Sequence, residues 1–223
     1  MGSRHVFVPR PISVSPNSHP PQSTPEHPSD GSAHAALAPD ALATLAIVPL
    51  PGDATPALFN ALAAMLHRAY AEQVRMGLQP LAGRQDAETT ARRCRSGEAW
   101  LATIDGRIDP VGMILLHEVE DAAFPPWFLR SEVAHFSLLA VDPLVQHAGI
   151  GARLVAHAEQ RCAANGHEEL ALSMAEPDTR LLGWYVRRGY RVVDHWQWPY
   201  TNYRSLIMSR RLVTTASLAP TMP

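Results

Sequence analysis

One stretch constrains the fold more than any other. From Val133 to Asn165 the chain reads VAHFSLLAVDPLVQHAGIGARLVAHAEQRCAAN: an apolar run, a short turn with two glycines, then a pattern of helical period. His135 to Val141 holds too few polar residues to alternate, which is the composition of a strand buried on both faces near the centre of a sheet. Beyond the turn, Ile150, Leu154, Val155 and Ala158 recur at helical spacing, while Arg153, His157, Glu159 and Arg161 fall mostly opposite; Asn165-Gly166 supplies a stop. In Gln146-His147-Ala148-Gly149-Ile150-Gly151 the two glycines sit where the helix opens. Backbone can approach a ligand closely there, and unpaired N–H groups at the positive end of the helix dipole suit a phosphate without any cationic side chain.

Three phosphate-binding readings compete with a bare strand-to-helix turn whose glycines serve packing. A dinucleotide fingerprint would place a third glycine where Leu154 stands and would start directly after the strand, whereas Asp142 to Ala148 intervene; Glu168 or Glu169 falls about where a ribose-binding acid would. A nucleoside-triphosphatase loop needs lysine, and the chain contains none. The third reading is a resemblance. Val141-Asp142-Pro143, then Gln146-x-x-Gly149-x-Gly151, then Leu154 resembles the acetyl-CoA signature of the GNAT superfamily of N-acetyltransferases, whose loop has the form Gln/Arg-x-x-Gly-x-Gly/Ala. Tyr185-Val186-Arg187-Arg188-Gly189-Tyr190 is similar to that family's Tyr-x-x-x-Gly-Phe/Tyr, at the expected distance after the loop.

Composition bounds the rest. Eight of the twenty prolines lie between Pro9 and Pro39 among Ser, Asn, Gln and His, so residues 1–40 are expected to form a disordered tail, too poor in apolar surface to offset its ordering entropy. No signal-peptide core and no membrane-length apolar run is present, which points to a cytoplasmic protein. A formal net charge of −2 without a basic block argues against nucleic-acid and anionic-membrane partners. Cys94 and Cys162 lack CxxC spacing and fit reduced core thiols.

The globular part opens at Ala43 with a strand over 44–48. Thr55-Pro56 caps a helix with Leu58, Leu62, Met65, Leu66 and Ala69 on one face, Met76 to Pro80 breaks it, and Asp86 to Arg95 gives a second, polar helix. Strands over 99–104 and 111–117 flank Asp105-Gly106 as a meander. The loop 118–131 carries Phe124, Trp127 and Phe128, the makings of a pocket wall, a lid, or plain packing. After Gly166, a strand over 169–174 reached through a helix should run parallel to the central one; Asp178 then caps a helix ending at Gly189, and strands over 190–197 and 203–208 form an antiparallel pair. A polar tail follows from residue 213.

This order of elements over residues 43–212 is that of the GNAT fold. The resemblance implies an α/β (α+β mixed) sheet with helices on both faces and two parallel strands that splay at the coenzyme site. It implies acetyl-CoA as co-substrate and no metal. Its pyrophosphate would lie on the N–H groups of His147, Ala148, Gly149, Ile150, Gly151 and Ala152, with Gln146 of the signature also a coenzyme-binding residue, and its pantetheine along Leu139, Ala140 and Val141. By the same resemblance Tyr185 is the general acid, and His135, six residues before the signature valine, is the base, with His117, Glu118 and Glu132 as alternatives. Asp178 stands where the family has an asparagine that contacts the coenzyme. Trp127, Phe128, Trp196, Trp198, Tyr200 and Tyr203, with Met76 to Pro80, lie on segments that flank the acceptor. The function expected is acetyl transfer to a primary amine, most simply on a small molecule. A protein N-terminal acetyltransferase, or a non-catalytic acyl-CoA-binding module of the same fold, is the alternative. A homodimer is left open.

Overall fold

The computed structural model describes residues 43–105, 107, 109–119 and 123–213. The proline-rich tail expected over 1–40, Gly106 of the expected hairpin turn, and all of the expected C-terminal tail beyond Val213 lie outside these residues. The described chain forms seven strands and four helices, with strands in the order β1-β2-β3-β4-β5-β7-β6.

The first half builds one face. β1 (Ala46–Pro49) starts two residues later than expected, because Ala43 and Thr44 lie in a 3-10 turn. The Thr55 side chain accepts from the Leu58 N–H at 3.3 Å, which with Pro56 starts α1 (Pro56–Arg75); such a cap is worth about 1 kcal/mol. Asp86 does the same for α2 (Ala87–Ser96), accepting from the Thr89 N–H at 2.8 Å. β2 (Glu98–Thr103) and β3 (Gly112–Leu116) are antiparallel, as expected of the meander. α1 and α2 bury Phe59, Leu62, Met65, Leu66 and Cys94 in one cluster against Leu101, Met113 and Leu115.

The central strand β4 (Val133–Val141) pairs antiparallel with β3 and parallel with β5 (Glu169–Ala175). α3 (Ile150–Ala164) and α4 (Thr179–Val186) cover the other face, where Ile150, Leu154, Val155, Ala158 and Tyr185 form a second cluster. β7 (Ser205–Arg211) lies between β5 and β6 (Arg191–Trp196), antiparallel to both, so the last two strands return inward.

β4 does not keep one alternation throughout. Ala134 and Phe136 join the cluster under α3, whereas Leu138 and Ala140 join the one under α1. A bulge causes the switch: Leu115 pairs with Ser137 but Met113 with Ala140, so β4 spends one extra residue opposite Ile114, and Leu138 takes φ +49°. A left-handed leucine is strained by about 1–2 kcal/mol and must be held by its surroundings. On the other side, β4 and β5 are paired only from Val133–Glu169 to Phe136–Leu172, although both strands run on. The expected burial of β4 on both faces is therefore incomplete. His135, Ser137, Leu139 and Val141 are half-buried, because they border the space opened between the two strands.

A Cβ on Gly112 would stand 2.9 Å from the Ala140 carbonyl oxygen and 3.2 Å from Leu154 Cδ1. Gly112→Ala is expected to cost about 1–3 kcal/mol by overpacking the bulged β3–β4 pair. Thermal denaturation should show a Tm lower by several degrees; an unchanged Tm would mean that the strands part without cost.

Candidate active site

Between the parted ends of β4 and β5 lies a cavity of about 710 Å³. At one end is the glycine turn. Gly149, the cap of α3, has φ +81°, and His147 has φ +67°, so the backbone turns left-handed twice before the helix begins. Alternating backbone of this kind directs successive N–H groups toward a common anion. The first bond of the helix runs from the Arg153 N–H to the Gly149 carbonyl at 3.0 Å, leaving the preceding amides without an intrahelical acceptor. Room for a ligand is present: a Cβ at Gly149 would meet nothing within 4 Å, and one at Gly151 only Val141 Cγ2 at 3.6 Å and Trp184 Cζ2 at 3.8 Å. Gln146 is partly committed elsewhere, its Nε2 donating to the Val141 carbonyl at 3.1 Å. Asp142 fastens the turn to α1, accepting from Arg68 at 2.6 Å and from the Leu144 N–H at 3.0 Å.

Of the expected coenzyme contacts, Leu139, Ala140, Val141, Gln146, His147, Gly149, Ile150, Gly151, Ala152 and Asp178 line this cavity. Ala148 does not; its side chain packs against the core under α3. Asp178 is buried and caps α4 through the Leu181 N–H at 2.9 Å, and its other oxygen accepts from Gln73 Nε2 at 3.1 Å. The asparagine of the family pattern is thus replaced by a carboxylate that takes an amide donor from α1. Four arginines, Arg93, Arg180, Arg187 and Arg188, also line the space, and Arg188 lies 3.5 Å over the ring of Trp184, the side chain next to Gly151.

Tyr185 lines the cavity while 3% exposed, packed edge-on against Trp184 at 4.9 Å and Tyr190 at 5.5 Å. Burial, with the phenol of Tyr70 next in effect, pushes its pKa well above the usual value, so the hydroxyl stays protonated across the working range. Tyr70 and Tyr203 line the same space, and burial raises both phenols too.

His135 lies on the wall of the cavity away from the glycine turn's helix. Its Nε2–H donates to the Glu118 carbonyl at 3.0 Å, which leaves Nδ1 as the basic nitrogen. Burial lowers its pKa, partly opposed by that hydrogen bond, so the ring is neutral at pH 7. The Glu118 side chain is buried and locked: Arg93 Nη2 donates to it at 2.9 Å, Arg93 Nε and Ser137 Oγ make further short bonds, and Arg93 Nη1 donates to Gln85 at 2.8 Å. Of the other base candidates, Glu132 is turned away to Arg130 at 2.6 Å, and His117 packs on His167 at 5.1 Å without lining the cavity.

Beside His135 the wall is aromatic: Phe124 and Phe128 meet the imidazole, Trp198 adjoins Phe124 and Tyr200 stacks on Trp198, and Tyr203 also lines the cavity. Two residues expected there are elsewhere: Trp127 lies against Arg130 at 4.3 Å, and Trp196 meets Trp198 edge-on outside the lining. Of Met76 to Pro80 only Pro80 reaches the cavity; Met76 is exposed. Sequence reading missed Tyr70, Gln73, Arg93 and Ser137. Ser137 carried a signal, as the one polar residue besides His135 in an otherwise apolar strand. Arg93 sat among many polar residues of one helix, and nothing local marked Tyr70 or Gln73.

Residues 61–190 match the acetyltransferase (GNAT) family. The chain belongs to the GNAT acetyltransferases. Solved structures share the fold at low identity. A ribosomal-protein-S18-alanine N-acetyltransferase from Escherichia coli is 16% identical with a TM-score of 0.55, over 77% of this chain and 96% of that one. A GNAT family acetyltransferase from Elizabethkingia anophelis, solved with acetyl-CoA bound, is 16% identical with a TM-score of 0.51, over 76% and 99%. An aminoglycoside 6'-acetyltransferase type Ii is 18% identical with a TM-score of 0.53, over 75% and 97%. No match was found among curated proteins. Among the described residues no group of three or more His, Cys, Asp or Glu is arranged to hold a metal, and no helix is long and apolar enough to cross a membrane.

The GNAT turn separates its two glycines experimentally. Gly151→Ala should leave Tm and coenzyme affinity close to wild type, since a single Cβ finds ordinary contacts, whereas Gly151→Val adds branches to the turn expected to carry the phosphates. Gly149→Val meets no atom but is strained at φ +81°, at about 1 kcal/mol or more. Calorimetry with acetyl-CoA should show binding lost in both valine variants; retained affinity would remove the turn from the site.

Proposed function

We propose that the protein transfers an acetyl group from acetyl-CoA to the primary amine of a small molecule, by direct attack with both substrates bound. The observation that carries this reading is the single cavity between β4 and β5, which the amide-bearing turn, the unpaired strand edges, Tyr185 and His135 all border. When bound, the coenzyme supplies an activated acetyl thioester and a sulfur leaving group.

The chain's own groups divide the work. Amides from His147 to Ala152 hold the diphosphate, and the Leu139 to Val141 edge orients the arm that follows it. A primary amine with pKa near ~10 is almost wholly protonated at neutral pH. His135 Nδ1, neutral because burial lowers its pKa, takes that proton and frees the nitrogen lone pair. Tyr185, kept protonated by burial, donates to the departing sulfur. A small acceptor is favoured over a protein N-terminus because the wall beyond His135 is aromatic, and an entering peptide would leave backbone amides there without partners. Both cysteines are free, and burial pushes Cys94 to about 11 and Cys162 to about 12, so neither is a nucleophile; free thiols suit the reducing cytoplasm in which we place the protein.

Thiol release measured over a panel of amines, including peptides with free N-termini, tests the activity. Coenzyme binding without release for any amine would instead mark a non-catalytic binding module.

Tyr185→Phe should lower kcat by roughly one to three orders of magnitude at similar acetyl-CoA affinity, because the ring still packs and only the proton donor is lost. Since burial raises this phenol, no alkaline limb belonging to it should appear below pH ~10. A kcat within a factor of about two, with chemistry rate-limiting, would return Tyr185 to the core.

For His135 the sign runs the other way. A base whose pKa is lowered stays active as pH falls to the unperturbed value near 6.5 and loses activity only below it, so kcat/KM should show an acidic limb under pH ~6.5. His135→Gln should remove that limb and depress the plateau while coenzyme binding persists. An unchanged limb would transfer the role to another group.

A further inference from the structure

This inference rests on the N-acetyltransferase reading and narrows its acceptor. An amine that gives its proton to His135 must bring its nitrogen against that ring, so the group attached to the nitrogen lies wherever the surroundings of His135 permit. Apart from the Glu118 carbonyl that holds its Nε2, those surroundings are largely rings. Phe128 stacks on the imidazole at 4.8 Å with planes 5° apart, Phe124 stands 5.2 Å away, and Trp198 meets Phe124 edge-on at 6.2 Å. Trp198 is held in place, its Nε1 donating to Ser173 Oγ at 2.8 Å and Tyr200 stacking on it at 5.6 Å. A flat, apolar substituent can meet faces and edges here, and each such aromatic contact is worth roughly two- to tenfold beyond the area buried.

Charge limits the alternatives. Among the described lining residues every carboxylate is already engaged: Glu118 by Arg93 and Ser137, Asp178 by Gln73 and the α4 amide, and Glu72 by Arg75. A second ammonium on the acceptor would be desolvated beside arginines with no partner for its charge.

We propose that the acceptor is an arylalkylamine: one primary amine joined by a short chain to one aromatic ring. The reaction balances as an acyl transfer. The ammonium gives one proton to His135; the freed nitrogen then forms the amide C–N bond as the thioester C–S bond breaks, the departing sulfur takes a proton from Tyr185, and the second proton shed by the nitrogen returns to the Tyr185 phenolate.

The test compares phenethylamine with cyclohexylethylamine, which has the same carbon skeleton without the π-face, and adds spermidine and a tripeptide with a free alanine N-terminus. Phenethylamine should exceed cyclohexylethylamine about tenfold in kcat/KM and exceed the other two by more. Trp198→Leu should bring the phenyl-to-cyclohexyl ratio near one; Phe124→Leu, at a less buried site, should do the same if the tryptophan variant fails to fold, with acetyl-CoA calorimetry as the check. Equal rates for the two ring amines, or spermidine or the peptide as best acceptor, would overturn the proposal while leaving acetyl transfer intact. Coenzyme binding with no thiol release for any amine would bring down both.

Discussion

The molecule depends on a conflict between two strands. β4 and β5 are neighbours in the sheet and share a parallel ladder, yet they cannot stay together past Phe136 and Leu172. The extra residue in β4 forces this. At Leu138 the strand turns over the faces of its side chains, so its second half follows β3 and α1 rather than β5. A sheet that closed here would be better hydrogen-bonded and would have nowhere to place a ligand. The left-handed leucine and the lost ladder are stability forgone for access, the usual exchange at a working site.

What holds the opening in shape is a buried polar core on one wall. Arg93 reaches from α2 to Glu118, whose carboxylate takes Ser137 and whose backbone carbonyl takes His135. One residue thereby fixes two side chains of β4 immediately before the bulge, and sets the imidazole tautomer. Deleting one partner of such a buried pair costs about 3–5 kcal/mol, because the other charge is left desolvated. The opposite wall is held differently, by α4 packing Trp184 against Gly151 and Tyr185 into the cluster under α3. Polar rigidity stands on the His135 side and apolar packing on the side of the glycine turn.

Much of this was legible in the chain, for local reasons. Helix caps at Thr55 and Asp178, the glycines at 149 and 151, and the parallel relation of the strands around α3 all follow from neighbours in sequence. The residues that escaped notice act over long separations. Gln73 reaches Asp178 across 105 positions and Arg93 reaches Glu118 across 25, and neither has a sequence neighbour that betrays its partner. The bulge at Leu138 was hidden for another reason: two leucines in an apolar run carry no mark of which one is unpaired. Trp127 and Trp196 were assigned to the acceptor wall by their segment, but alternation along a strand or turn decides which side chain faces inward, and both face out of it.

The unpaired edges left inside the sheet have one more consequence. Beyond the last shared rung, β4 pairs as a strand only with β3 and β5 only with β7, side chains of Tyr70 and Gln146 reaching the Leu139 and Val141 carbonyls, so the sheet carries two short borders without a neighbouring strand at its middle rather than at its rim. A molecule with amides in an extended row would act there as a missing strand. Its occupancy would then enter the unfolding equilibrium by mass action, and amide exchange and proteolytic lifetime at the heart of the protein would follow how much of that molecule surrounds it.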